Sequence, residues 1–298
     1  MAHLFPEGAK LGSDNVVLHA SARRHVVTDL AGPLSVKTVV RGQVSWTVSG
    51  RELVLDPSSF LVLADGERYS MNIDERRAVE TCCVFFRRGF VESLAQDATT
   101  PLDASLDDPM RGAPALPFLA RMHLAGGESC LHAQVQTLAP RCSQMLQPSG
   151  FEEDFHLLGE RLLALYAQIA AEVRRVPAVK AATREELFRR LQIAREHIHG
   201  HVEQPLSLEE TSRAACLSPY HFHRTFRQVY GATPHEYMTG LRLQRAHVLI
   251  CDGNGVLEAG VAVGFSSASS FSRLFRERFG VPPSKFRKIR QASLSVQP

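Results

Sequence analysis

The chain has 298 residues, 44% of them apolar and 22% charged, the balance of a globular protein long enough for two domains with complete cores. No stretch approaches the roughly 20 apolar residues of a membrane helix, and the opening MAHLFPEGAKLGSDN lacks the apolar core of a signal peptide, so a cytoplasmic protein with no membrane contact is expected. The net charge of +3 conceals an asymmetry: residues 180–298 carry 17 Lys and Arg against 10 Asp and Glu, net +7, while residues 1–179 carry 17 against 21, net −4. A basic half favours phosphate contacts that weaken with salt.

In chain order, Val36 to Phe86 reads as short strands, VKTVV, VSWTV, ELVL, FLVL, YSMNI and VETCCVFF, separated by Gly and Asp-Pro turns. Val44, Trp46 and Val48 share one face, as do Tyr69, Met71 and Ile73, the period of two of half-buried strands. Many short strands at close spacing imply a small barrel or sandwich. Next, RRGFVESLAQ reads as helical, residues 99–127 are rich in Pro, Gly and Asp, and ESCLHAQVQTLAPRCSQMLQ reads as helical again. From Phe151 to Val176 an apolar stripe that includes Phe155, Leu158, Leu162, Leu165 and Ile169 recurs at alternating steps of three and four. Two readings stand: a core helix against the barrel, or a dimer seam, which the neighbouring linker Pro177–Lys180 favours.

A helix near Arg184–His199 closes at Gly200. The next is opened by a capping box of Ser207 and Glu210, and a third by Ser218 as cap with Pro219 at its first position. This third helix has an inward stripe of Phe222, Phe226 and Val229, and Tyr220, His223, Arg224 and Arg227 on its opposite face. FHRTFRQVYGATPHEY, from Phe222, then repeats forty-nine residues later as FSRLFRERFGVPPSKF, from Phe271. Phe222, Arg224, Phe226, Gly231, Pro234 and Tyr237 superpose on Phe271, Arg273, Phe275, Gly280, Pro283 and Phe286. The doubling reads as two helix-turn-helix units joined by a helix over Pro234–Ile250, spaced for successive major-groove segments roughly 34 Å apart. In the first unit Arg224 can hold guanine bidentately while Tyr220 and His223 make apolar or single hydrogen-bond contacts. The alternative for Arg224 is a salt bridge to Glu209, Glu210 or a neighbour. The second unit presents Ser269, Ser270, Ser272 and Arg273, a set that positions more than it specifies.

Other patterns carry less. The string His197, His199, His201 lies at a helix end and its alternate members point apart, so no metal site is read there. Cys82 and Cys83 are adjacent on a strand and face opposite sides, and the six cysteines show no paired disulfide or zinc spacing. No phosphate loop, nucleophile elbow or HExxH occurs, and neither a catalytic residue nor a cofactor is expected.

PLSLEE, LSPYHFHRTFRQ, TPHEYMTGLRLQRA and AVGFSSASSFSRLFRERFGVPPSKFR together resemble the AraC/XylS family of bacterial transcription regulators over Glu185 to Arg290. The resemblance implies a seven-helix domain on two adjacent major-groove segments, with Tyr220, His223 and Arg224 at base-reading positions and Ser269, Ser270 and Arg273 at their counterparts. It also implies contact with RNA polymerase. The chain departs from the family at Cys216, where a turn glycine is usual, and at Gly260, where a helical alanine is usual. The strands over Val36–Phe86 resemble the cupin-like effector and dimerisation domain of that family, but no histidine lies between His25 and His123 to build a cupin metal centre. If the barrel holds an effector, Trp46, Tyr69 and Met71 line it; filled core is the competing account.

The expectation is an α+β chain: a cupin-like effector and regulatory domain over 1–98, a helical connector and dimerisation segment over 99–179, and an all-α tandem helix-turn-helix DNA-binding domain over 180–298. Its expected function is sequence-specific transcription regulation as a homodimer on double-stranded promoter DNA, activation included, with a small-molecule effector acting on the N-terminal half. The alternatives are control by a partner protein and a cupin-like enzyme with an attached DNA-binding domain.

Overall fold

The computed structural model describes residues 10–99, 121–124, 130–142 and 151–294. The chain divides into two compact units, Met1–Ala170 and Ala171–Pro298. Of the expected elements, most of the Pro, Gly and Asp-rich segment and both ends of the helix expected around Leu131–Cys142 lie outside the described residues.

The first unit is built on antiparallel strands β1 (Val16–Ala31), β2 (Ser35–Arg41), β3 (Val44–Val48), β4 (Arg51–Leu55), β5 (Ser59–Leu63), β6 (Arg68–Phe85) and β7 (Arg121–Leu124). They are ordered β4-β3-β6-β2-β5-β7, with β1 also on β6. β6 is the spine. β3 pairs with Tyr69–Asn72 and β2 with Glu80–Phe85 along one edge, and β1 follows the other edge from end to end. Between β2 and β3 the chain bends at Gly42, whose φ of +87° few other residues adopt and where a Cβ would stand 3.0 Å from Val79. β3 returns as β4 through Ser49-Gly50, both at positive φ, the two-residue turn that matches strand twist. The strands form an antiparallel half-barrel whose interior is a cluster that includes Val39, Val44, Trp46, Val48, Leu53, Leu61, Tyr69, Ile73 and Val79, with Met71 packed against it.

Sequence periodicity and structure differ here in three places. YSMNI and VETCCVFF belong to one strand, β1 precedes the first strand read from the sequence, and β7 arises inside the Pro, Gly and Asp-rich segment. One cause joins the first two: the charged middles of β1 and β6 face water and pair with each other, Arg24 to Asp74 at 3.1 Å, so neither shows apolar alternation there.

Three helices follow: α1 (Phe90–Thr99), α2 (Leu131–Cys142) and α3 (Glu152–Arg175). α2 lies on the outer face of β2 and β6, where Gln136 Nε2 donates to Val39 O at 3.0 Å and Cys82 Sγ to Val135 O at 3.6 Å. The stripe of α3, for which a core helix and a dimer seam both stood, faces inward: Phe155, Leu158, Leu162, Leu165 and Ile169 are all buried within the chain itself. Phe155 meets Phe86 edge-on at 5.9 Å, His156 meets Phe90 at 5.2 Å, and Leu94 comes so close to Gly159 that a Cβ there would stand 2.4 Å from it. An apolar stripe at heptad spacing suits a core helix as well as a coiled coil, and here its first turns pack on Phe86 and α1.

Seven helices make up the described part of the second unit: α4 (Ala181–Gly200), α5 (Leu208–Ala214), α6 (Pro219–Tyr230), α7 (Pro234–Cys251), α8 (Val256–Ala262), α9 (Ala268–Phe279) and α10 (Pro283–Leu294). The molecule is therefore α+β, a strand-rich half-barrel unit followed by an all-helical one.

Candidate nucleic-acid interface

Each helix-turn-helix is assembled from local signals. At the start of α5, Ser207 Oγ accepts from Glu210 N at 3.1 Å and Glu210 Oε2 accepts from Ser207 N at 2.8 Å. Thr233 and Glu236 repeat that capping box on α7. The backbone N–H groups of Ser207 and Thr233, and then their hydroxyls, hold the Glu210 and Glu236 carboxyls below the usual carboxylate range. Ser218 caps α6 and Ser267 caps α9, and both helices end at a left-handed glycine, Gly231 (φ 73°) and Gly280 (φ 77°).

The sequence repeat is also a packing repeat. In the first unit Phe226 contacts Phe222 at 5.3 Å, Tyr230 at 4.6 Å and Tyr237 at 5.5 Å. In the second, Phe275 contacts Phe271 at 5.6 Å, Phe279 at 4.6 Å and Phe286 at 5.9 Å. Phe222, Phe226, Phe271 and Phe275 are fully buried, so truncating any of them to Ala costs about 3–5 kcal/mol. Each ladder meets a basic group from the first helix of its unit, Arg195 lying 5.4 Å from the Tyr230 ring and His247 4.8 Å from Phe279. These rings fix which face of α6 and α9 is left outward.

On α6 that outward face consists of Tyr220, 77% exposed, with His221, Arg224, Arg227 and Gln228. Arg224 makes no ion pair among the described residues, and the salt bridge weighed for it in the sequence does not form. His223, grouped with Tyr220 and Arg224 in the sequence, sits apart from them. It is half-buried and lines a groove of about 190 Å³ with Leu206, Thr211, Pro234, His235 and Met238. His221 and Gln228 are outward residues that sequence reading did not select, although a step of about 100° per residue from Tyr220 and Arg224 leads to them.

On α9, Ser269, Ser270 and Arg273 are exposed, with Arg276 beside them and Arg278, also exposed, further round the helix. Ser269 Oγ is held 2.9 Å from the cap Ser267 Oγ, and Arg273 Nη1 donates to Glu277 Oε1 at 2.7 Å. The two units thus share a scaffold and differ in readiness: the arginine of α6 is free to meet a ligand, and its counterpart on α9 must first leave a carboxylate. Such an exposed pair is worth only about 0–1 kcal/mol, a small barrier to exchange for a phosphate.

The effector-lining candidates come together as neighbours in one interior. Trp46 and Tyr69 are buried and Met71 is partly so. Trp46 Nε1 finds no hydrogen-bond partner among the described residues, nor does the buried Ser35 Oγ. Beside them lies a residue sequence reading passed over, Lys37, 1% exposed. Its Nζ donates to Tyr69 Oη at 3.3 Å and stands 3.5 Å from the centre of the Phe85 ring. Burial pushes its pKa down to about 8. Only its place in VKTVV, on a face shared with Ser35 and Val39, hinted at this. In the histidine string, His197 and His201 pack ring to ring at 4.3 Å and His199 is buried.

Residues 211–289 match the family model described as "Helix-turn-helix domain". The chain is 33% identical over 101 residues to the "HTH-type transcriptional regulator ArgR" of Pseudomonas aeruginosa, covering 34% of this chain and 31% of that protein. It is 29% identical over 150 residues to the "HTH-type transcriptional activator RhaS" of Klebsiella pneumoniae, covering 50% of this chain and 53% of that protein. Among solved structures, a transcriptional regulator with an AraC-type DNA-binding domain from Chromobacterium violaceum is 29% identical, covering 40% of this chain and 99% of that one at a TM-score of 0.33. The chain thus spans from about a third to about half the length of the curated relatives it matches.

Proposed function

We propose that this chain, whose C-terminal unit carries an AraC-type helix-turn-helix domain, is a transcription regulator that reads promoter DNA through α6 and α9 and answers to a small anionic effector in its strand-rich unit. The observation that carries the DNA reading is the contrast on α6: a fully buried aromatic face opposite an exposed face of Tyr220, unpaired Arg224 and Arg227. Arg224 enters the major groove and meets a guanine edge, Tyr220 packs on a neighbouring base, and Ser269, Ser270 and Arg273 place the second helix on the next groove segment. A relative named as an activator supports activation as the sign of regulation.

Selection of bound duplexes from a random library, followed by anisotropy titration, tests this. The full chain enriches one motif; Arg224→Ala weakens binding to it by roughly 1–3 kcal/mol and relaxes preference at one base pair. Arg273→Ala weakens all duplexes alike. A library that yields no motif would overturn the reading.

Lys37 supports the effector half. An ammonium in an apolar interior, with one hydroxyl partner and ring faces, lacks the anion that would offset its desolvation, and Trp46 and Ser35 add two donors without acceptors. A small carboxylate beside Lys37 supplies that anion. Tyr69, the hydroxyl partner of Lys37, also lines an open depression of about 560 Å³ with Asp29, Asp65, Glu67 and Arg68. Thermal-shift screening of carboxylates should raise Tm of the wild-type chain and leave Lys37→Met unmoved; equal shifts in both would remove Lys37 from the site.

A further inference from the structure

The chain has five lysines, and Lys37 alone is buried; Lys10, Lys180, Lys285 and Lys288 are exposed. Its strand neighbours Val36 and Thr38 and its partners across the sheet, Leu61 and Cys83, are buried too, so β2, β5 and β6 enclose the alkyl stem. At the tip, Nζ has one hydrogen-bond partner among the described residues, Tyr69 Oη at 3.3 Å. The centres of the Phe85 and Tyr69 rings lie 3.5 and 4.8 Å from it. Ring faces hold an ammonium far less well than water does, so this environment favours the free amine. Burial accordingly brings its pKa to about 8, which at pH 7.5 leaves roughly a quarter as free amine, against about one in a thousand for an exposed lysine. Burial acts on the Tyr69 phenol in the opposite sense, raising its pKa so that it keeps its proton. The result is a nucleophile in contact with a proton donor.

We propose that Lys37 captures a small 2-oxo acid as an imine, with Nζ as nucleophile and Tyr69 Oη as proton donor. This rests on the anionic-effector reading and narrows it to one class of acid. The Nζ lone pair forms a C–N bond with C2 as the carbonyl π pair moves to oxygen, which takes a proton from Tyr69 Oη; the phenolate recovers a proton from the new ammonium. The carbinolamine hydroxyl then takes a proton from the same phenol and leaves as water, the nitrogen lone pair closes the C=N bond, and the phenolate takes back the N–H proton. One amine and one 2-oxo acid give one imine and one water, with no electron gained or lost by either. A 2-oxo acid suits this interior better than a simple acid, because a protonated imine nitrogen has the carboxylate of the bound acid one carbon away as its counter-ion. Tyr69 borders both the amine and the open depression. Two carboxylates of that depression are already paired, Asp29 with Arg68 and Asp65 with Arg88, which lessens their repulsion of an entering acid.

Exposure alone predicts the opposite order of labelling, because the other four lysines meet solvent. The full chain is incubated at pH 7.5 with pyruvate and cyanoborohydride, which reduces an imine to a stable secondary amine, and its peptides are mapped by mass spectrometry. Lys37 should carry the adduct at roughly ten times the level of any exposed lysine. Without reductant, pyruvate should raise the Tm of the wild type more than lactate, which has a hydroxyl in place of the carbonyl. Lys37→Arg keeps the cation but forms no imine, and should respond to the two acids alike. If Lys37→Arg does not fold, the wild-type peptide map and the two wild-type Tm shifts decide alone. Adduct on the exposed lysines ahead of Lys37, or equal Tm shifts with pyruvate and lactate in the wild type, overturns the imine and leaves a carboxylate beside Lys37 in place. No shift with these acids or with any other carboxylate removes the effector reading together with the imine.

Discussion

At the scale of single residues, the two helix-turn-helix units solve one backbone problem with different side chains. The turn before α6 closes by Leu217 N donating to Ser212 O at 3.0 Å, and the turn before α9 by Phe265 N donating to Gly260 O at 3.0 Å. Between these partners each turn needs one left-handed residue, Cys216 at φ 52° and Gly264 at φ 87°. Cys216 stands where a turn glycine is usual and carries the strain of that conformation, and Cys216→Gly should raise stability by roughly 0.5–1 kcal/mol, the left-handed penalty less the added freedom of the unfolded chain. Gly264→Ala should destabilise by roughly 2–4 kcal/mol, because its Cβ would stand 2.5 Å from Glu203 O and be overpacked as well as strained. Urea unfolding of the two variants against wild type measures both signs. The first position was legible from the usual turn glycine; the second depended on Glu203, sixty-one residues away, which no local pattern announces.

At the scale of elements, legibility followed how local the stabilising contacts are. Ser207 with Glu210 and Ser218 with Pro219 are signals within a few residues of the helix start they define, and both appear in the structure where the sequence put them; Gly200, read as a closing cap, is instead the last helical residue of α4, with His201 as the cap. β1 and α3 depended on distant partners: β1 is shaped by two bulges along β6, and the stripe of α3 could not say whether α1 or a second copy would cover it. α2 leads to a prediction of the same distant kind. Its His132 lies 5.8 Å from Phe60, ring to ring, and burial pushes its pKa down to about 4 from an ordinary value near 6.5. The folded state thus refuses a proton that the unfolded chain accepts. Stability is whole above about pH 6.5 and is lost as pH falls toward 4, by about 3 kcal/mol for a shift of this size. His132→Phe keeps the ring contact without the titration. The difference in unfolding free energy between variant and wild type should be near zero at pH 7.5 and favour the variant at pH 4.5. A constant difference would show that α2 docking does not carry this acid sensitivity.

At the scale of the whole molecule, the charge asymmetry read from composition acquires a location. Arg224 and Arg227 project from α6, and Arg273 and Arg276 from α9, on faces opposite the aromatic ladders, with Arg278 on the flank of α9, all exposed. Composition could give only the sign of the partner; the helices give a surface on which that charge is arranged. If four or five of these guanidinium groups displace counterions from duplex DNA, the logarithm of the binding constant should fall against the logarithm of salt with a slope of about −3.6 to −4.5. That is a loss of roughly 10²–10³ in affinity between 50 and 200 mM salt. The slope also separates the roles of individual arginines. Arg278→Ala, a phosphate contact, should lower its magnitude by about 1 and weaken the selected motif and an unrelated duplex equally. Arg224→Ala should weaken the motif much more than the unrelated duplex, because a base contact contributes only where its base is present. Anisotropy titrations of the three proteins on the two duplexes at four salt concentrations measure these quantities. A shallow slope would place the DNA elsewhere on the basic unit; a normal slope with equal losses in both variants would leave α6 as a phosphate clamp and move sequence reading to its neighbours His221 and Gln228.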